Sequence, residues 1–122
     1  MTNNKNPHLF AQQSGRRAET LAAWYLRLKG YRILARNFRH ASGEIDIIAQ
    51  KGALLVWVEV KQRHKGRASL DDVPAQQWAR IGAAATAFVG RRKALQGLAW
   101  RFDFIGLGGG AWPRHLKGVW RF

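Results

Sequence analysis

The stretch "GEIDIIAQKGALLVWVEVK", residues 43–61, alternates its apolar residues as a β-hairpin does, yet Glu44, Asp46, Glu59 and Lys61 are set into the strands. The whole chain has only seven Asp plus Glu, so three of them in one hairpin call for a physical reason. With the turn at Lys51 and Gly52, Gln50 faces Ala53, Ile48 faces Leu55, Asp46 faces Trp57 and Glu44 faces Glu59. Strand side chains alternate between faces, so Glu44, Asp46 and Ile48 share one face with Leu55, Trp57, Glu59 and Lys61. Asp46 and Glu59 become diagonal neighbours, about 7 Å apart at the backbone and closer at their carboxylates.

At an effective dielectric of about 20, two carboxylates about 6 Å apart repel by roughly 3 kcal/mol. A half-buried cluster therefore needs positive charge nearby or a raised pKa. Lys61 supplies one charge and a divalent cation would supply the rest. Oxygen ligands without Cys or clustered His select Mg²⁺ or Mn²⁺ over Zn²⁺. The other reading is a solvated face whose acids pair with the many arginines. Trp57, Leu55 and Ile48 on the same face argue for burial, but composition and parity leave both readings standing.

Outward from the hairpin, residues 1–13 are polar and aperiodic and are expected to form a flexible arm before a single domain over 14–122. In "SGRRAETLAAWYLRLKGY", Ala18, Leu21, Ala22, Tyr25 and Leu26 recur at helical spacing between a Ser14 cap and a Gly30 stop, with Glu19 at the border of that face. "YRILARNFR" reads as a strand ahead of the hairpin, and the basic loop "QRHKGRASL" follows it. Asp71 or Asp72 is the expected cap of a second helix with Pro74 in its first turn and Trp78, Ile81, Ala85, Phe88 and Val89 as its core face. "AWRFDFIGL" alternates as a strand, with Asp103 and Arg101 on one face as a structural ion pair, and "GVWRF" closes the chain as a last strand. The order αβββαββ is that of an α/β domain with a mixed sheet.

With 122 residues and 47% hydrophobic content the chain has room for one domain with a real core. Lys plus Arg outnumber Asp plus Glu by 21 to 7, a net charge of +14 that calls for a polyanionic partner. Nucleic acid is the natural candidate; charge does not separate DNA from RNA. The absence of Cys removes disulfides, zinc fingers and thiol nucleophiles. No apolar signal segment or membrane-length apolar run is present, so no membrane partner and a cytoplasmic location are expected. Arg16, Arg17, Arg36, Arg39, Arg63, Lys65 and Arg67 are the expected phosphate-gripping rim, and Trp112, in a Gly-rich loop, is a candidate for base stacking.

Asp46 followed by Glu59-Val60-Lys61 resembles the D…(D/E)xK signature of the PD-(D/E)xK nuclease superfamily, the restriction-endonuclease-like fold. The ordered set "GRRAETLAAWYL", "GYRILARNFR", "GEIDIIA", "VWVEVKQR" and "RFDFIGL", spanning about residues 14–107, is similar to the YraN family of small bacterial predicted endonucleases. The resemblance implies an αβββαβ core with a central mixed β-sheet flanked by helices. It also implies Asp46 and Glu59 as metal ligands, Glu19 as an accessory ligand, Lys61 as the residue that positions or activates water, and an accessory place for Glu44. Two positions depart from the pattern: Gln77 stands where relatives often carry a Lys early in the second helix, and Ile45 precedes Asp46 in place of the superfamily's Pro.

The expected function is a Mg²⁺- or Mn²⁺-dependent DNA endonuclease, branched or otherwise structured DNA included, with a homodimer compatible with cutting two strands. The alternative is a non-catalytic basic nucleic-acid-binding protein that retains a nuclease fold.

Overall fold

The computed structural model describes residues 7–63, 65–66, 68–110 and 112–121, with side chains from Arg16 onward. Helix α1 (Pro7–Leu28) leads into strands β1 (Arg32–His40), β2 (Gly43–Lys51) and β3 (Leu54–Arg63). A 3-10 turn (Leu70–Asp72) precedes helix α2 (Ala75–Gly90), and a second (Lys93–Leu95) precedes β4 (Ala99–Gly108) and β5 (Arg114–Trp120). The five strands lie in sequence order, all neighbours antiparallel except β3 and β4, whose parallel pairing requires the crossover that α2 supplies.

The hairpin's run "IIA" and "LVWV" is apolar at consecutive positions because both faces of the sheet are covered. On one face Ile48, Leu55, Trp57, Phe102 and Phe104 pack with Trp78, Ile81, Ala84, Ala85 and Phe88, all from α2 apart from the sheet residues. On the other, Ile47, Ala49, Val56, Val58, Ile105 and Leu107 pack with Ala18, Ala22, Ala23 and Leu26 of α1. Ile47 and Ile48 are both fully buried, one per face, each contributing roughly 1.5–3 kcal/mol. The result is the α/β sandwich expected of a restriction-endonuclease-like core, a mixed sheet between two helices.

Four boundaries differ from expectation. Helix α1 begins at Pro7, so Ser14 lies inside it and residues 7–13 of the expected arm are helical; Pro is well suited to a first helical position and the "AQQ" that follows favours helix. Residues 1–6 lie outside the described residues. Pro74, not Asp71 or Asp72, caps α2. Asp72 is drawn into the preceding 3-10 turn instead, accepting the Ser69 N–H at 2.9 Å and pairing with Arg63. Strand β5 starts at Arg114, four residues before the expected "GVWRF", because Arg114–Leu116 pair with Phe104–Gly106; Gly118, at φ 64°, sits where the register then shifts. In the hairpin, Gln50 faces Leu55 and Ile48 faces Trp57, with Gly52 and Ala53 as the turn and Gly52 at φ 60°. This register is displaced by two residues from the expected one, so the parity of the faces survives.

Asp103, fully buried on the α1 face, is held by more than the expected ion pair. Arg101 grips it with Nε at 2.8 Å and Nη2 at 2.7 Å, and the Gly118 N–H donates at 3.1 Å. His115 Nε2 lies 2.7 Å from Oδ2 while Lys29 Nζ donates to His115 Nδ1 at 2.8 Å, which fixes the tautomer with its proton on Nε2. Burial alone would raise this carboxyl, but the bonds from His115, Arg101 and Gly118 outweigh it and hold it below the ordinary aspartate range.

Asp103→Ala strands the buried His115 side chain and loses both bonds of the Arg101 grip, so the unfolding free energy should fall by about 3–5 kcal/mol in urea melts. A depressed folded pKa gives stability that is present above the unfolded pKa and lost as pH falls through the folded value. Wild type should therefore lose stability steeply below about pH 4, and Asp103→Asn, already weakened at neutral pH, should show a shallower acid slope.

Candidate active site

Between the pairs Arg36↔Ile47 and Phe38↔Ile45, the β1–β2 ladder brings Asn37 opposite Asp46. Asn37 has φ 54°, the left-handed region that Asn tolerates better than most residues. Across this point the strand pair exchanges faces: Ile47 packs with α1, while Ile45 and Phe38 pack in the α2 cluster. Asp46 thus stands at a kink. The regular β2–β3 pairs end at Ile47↔Val58, and beyond them the Asp46 carboxylate bridges the strands by accepting the Val60 N–H at 2.8 Å.

That carboxylate also meets Glu59, which is only 4% exposed. Burial, then the hydrogen bond to Asp46 and the Asp46 charge, push the Glu59 carboxyl up to about 10, against the opposing pull of Lys61 and Gln77. The two carboxyls accordingly hold one proton between them at neutral pH. Gln77 Nε2, from the first turn of α2, donates to Glu59 Oε2 and fixes the carboxyl from the other side. Sequence reading marked Gln77 as a departure but gave no sign that it touches the acid pair, because the contact spans strand and helix.

The remaining expected residues are distributed around this pair. Lys61 is half-buried, and its charge acts on Glu59. Glu19, on α1, lies close enough to feel Asp46; burial and then that charge raise its pKa, but Arg36 holds it with Nε at 3.1 Å from Oε1 and anchors itself on Thr20 Oγ1 at 2.8 Å. Glu44 does not join the pair: its side chain is 65% exposed and lies 3.6 Å from Arg39 Nε, at the edge of a cleft that Gln77 also lines. Among the described residues no three acidic or His side chains converge as a ready ligand set. The site is a two-carboxyl centre with Glu19 held aside.

Of the expected basic rim, Arg16, Arg17, Arg39, Arg63 and Lys65 are exposed. Arg36 is committed to Glu19, Arg63 is paired with Asp72, and Arg67 and His64 lie outside the described residues. Trp112 is 72% exposed and meets Tyr25 of α1 edge-on, with ring centres 6.1 Å apart.

Residues 18–107 match the family described as uncharacterised protein family UPF0102. The chain belongs to that family. It is 42% identical to a UPF0102 protein of Parvibaculum lavamentivorans over 93% of this chain and 85% of the relative. A UPF0102 protein of Caulobacter vibrioides is 44% identical over 90% of this chain and 88% of its own length, and one of Rhizobium johnstonii 46% identical over 87% of each. UPF0102 is the YraN family, so the resemblance read from the motifs holds. The matched segment of the UPF0102 chain contains every residue of the acid centre, from Glu19 to Gln77.

A carboxyl whose folded pKa is raised contributes stability that is complete below its unfolded pKa and is lost as pH rises. Between about pH 5 and about pH 9 the UPF0102 protein should therefore lose stability relative to Glu59→Gln, by at most about 1.4 kcal/mol per pH unit. Parallel thermal melts of the two proteins across that range check this; curves that keep a constant separation would mean that Glu59 is ionised in the folded state.

Proposed function

We propose that this protein is a metal-dependent nuclease that hydrolyses phosphodiester bonds in DNA, structured DNA included. The observation that carries the reading is the contact between buried Glu59 and Asp46, with Lys61 beside it, in a chain of net charge +14. A merely structural acid in so cationic a chain would meet arginine, as Asp103 does. Here two acids meet each other around a proton.

The donor set fits a hard divalent cation, Mg²⁺ or Mn²⁺: all oxygen, two carboxyl groups already in contact, and a proton in the place where positive charge is needed. Asp46 and Glu59 would hold the ion, and Glu19 would complete the set on leaving Arg36. Bound there, the ion would polarise the scissile phosphate and lower the pKa of water. The protein's own groups would do the rest. Gln77 steadies Glu59 through Oε2, the Val60 N–H orients Asp46, and Lys61 directs the attacking water and offsets the charge that develops on the phosphate. Arg16, Arg17, Arg39 and Lys65 would grip flanking phosphates. No helix among the described residues is long and apolar enough to cross a membrane, and the reading places the protein with nucleic acid in the cytoplasm.

The second reading, a binding protein that keeps the scaffold without cleaving, draws on Glu19 being tied to Arg36 and on Gln77 standing against Glu59. Cleavage assays on branched, flapped, linear and single-stranded DNA in Mg²⁺, Mn²⁺ and EDTA separate the two. Asp46→Ala and Glu59→Gln should each reduce metal-dependent cleavage at least about a hundredfold, while metal-free DNA affinity stays level or rises for Asp46→Ala, which removes a negative charge, and stays level for Glu59→Gln, which replaces a carboxyl that is already protonated. Lys61→Ala should lose cleavage and bind DNA more weakly. Intact cleavage by Asp46→Ala would overturn the nuclease reading.

Metal loading itself has a signature independent of cleavage. Because Glu59 must surrender its proton, titrating Mg²⁺ into weakly buffered protein should release about one proton per ion near neutral pH, with affinity that rises with pH. Glu59→Gln should release none. DNA binding should fall on the order of a thousandfold between about 50 and 200 mM salt if about six phosphates are engaged.

A further inference from the structure

Beside the acid centre the β1–β2 turn and the first turn of α2 enclose a cleft of about 590 Å³. The turn is seated closely on the helix: a Cβ on Gly43 would lie 2.5 Å from the Arg80 carbonyl oxygen. His40 and Ser42 line one wall, Gln76, Gln77 and Arg80 the other, and Glu44 lies at its edge. The volume falls within the roughly 300–1,000 Å³ of small-molecule clefts.

The lining is a mixture of donors and acceptors that carries both charges, Arg80 on the helix and, at the edge, Glu44 with its partner Arg39 3.6 Å away. A phosphate would be repelled by Glu44 and would leave the amide oxygens without donors. A nucleobase, neutral and edged with both donors and acceptors, matches this set. The Ser42 side chain is oriented by His40, whose Nδ1 lies 2.5 Å from Ser42 Oγ and accepts the Ser42 N–H at 3.2 Å. Gln77 spends its Nε2 on Glu59 and keeps Oε1 for a ligand, so one side chain links the cleft to the acid centre.

We infer that this cleft holds the base of an unpaired nucleotide next to the phosphate at the Asp46–Glu59 centre, so that the substrate is a strand with an unpaired nucleotide rather than continuous duplex. The inference rests on the nuclease reading above and names its substrate class. A paired base presents only its groove edge and stays in the stack; entry requires one that is single-stranded, at a branch, or flipped. Of the residues lining the cleft only His40 is aromatic, so recognition comes chiefly from hydrogen bonds to the base edge rather than from stacking.

The test is direct binding to the full chain in EDTA, where cleavage plays no part. The probes are a short single strand, the same strand with its bases removed and its phosphates kept, and a blunt-ended duplex of two fully paired strands. Wild type should bind the intact strand about tenfold more tightly than the baseless one, the worth of one or two base-edge hydrogen bonds. Ser42→Leu and Gln76→Leu fill the cleft without changing charge, and Gln76 is exposed, so folding should survive. Each should abolish that tenfold preference and leave duplex and baseless-strand affinities unchanged. Equal wild-type affinity for intact and baseless strands, or a preference that persists in both leucine variants, overturns the inference. Base-dependent binding with no cleavage in Mn²⁺ would support the cleft and sink the nuclease reading instead, whereas cleavage with no dependence on bases would do the reverse.

Discussion

Coverage of the β2–β3 hairpin on both faces is the constraint from which the rest of the architecture follows. Ile47 and Val58 are pressed against α1, Ile48 and Trp57 against α2, and every one of them is sealed from water. A strand pair enclosed in this way has no solvated side on which to carry charge along its length. Its acids can be accommodated only where the ladder opens, and that is where Asp46 and Glu59 are found, past the last regular pair. The kink at Asn37 is part of the same solution, since it turns β1 and β2 together and lets Asp46 reach β3 while Ile45 stays in the core.

Two acids of this protein are buried, and they are stabilised in opposite ways. Asp103 is surrounded by Arg101, His115 and a backbone N–H, and remains ionised. Glu59 lies next to another carboxyl and remains neutral. The first arrangement is closed, with every lone pair answered from within the fold. The second is satisfied by a mobile proton, which can be exchanged for something else. The contrast in environment, more than burial itself, distinguishes a structural acid from one suited to chemistry.

Much of this was legible in the strand pattern. Alternation gave the hairpin, the family resemblance implied helices on both sides of the sheet, and the parity of Asp46 and Glu59 survived a turn placed differently because the displacement was an even number of residues. The Arg101–Asp103 pair was readable from spacing alone. What escaped depends on backbone or on contacts remote in sequence. The positive φ of Asn37 leaves no mark in composition, and neither does the contact with Arg39 that holds Glu44 out toward solvent. Gln77 reaches Glu59 across 18 positions, and His115 reaches Lys29 across 86. Pro74 rather than an Asp caps α2 because Asp72 finds better partners in Ser69 and Arg63.

The strand order has a bearing on how the chain acquires its shape. Because spatial order repeats sequence order, three of the four strand pairings join segments that are adjacent in the chain, and only β3 with β4 must wait for an intervening helix. Local pairings close fast and the parallel one closes late, since loop-closure entropy must be overcome first. The hairpin bearing Asp46 and Glu59 belongs to the early class, whereas Gln77 arrives only with α2. In that order the two carboxyls would meet in a wet, half-built sheet before α2 closes over Glu59, and the burial that raises its pKa would come only as the crossover docks.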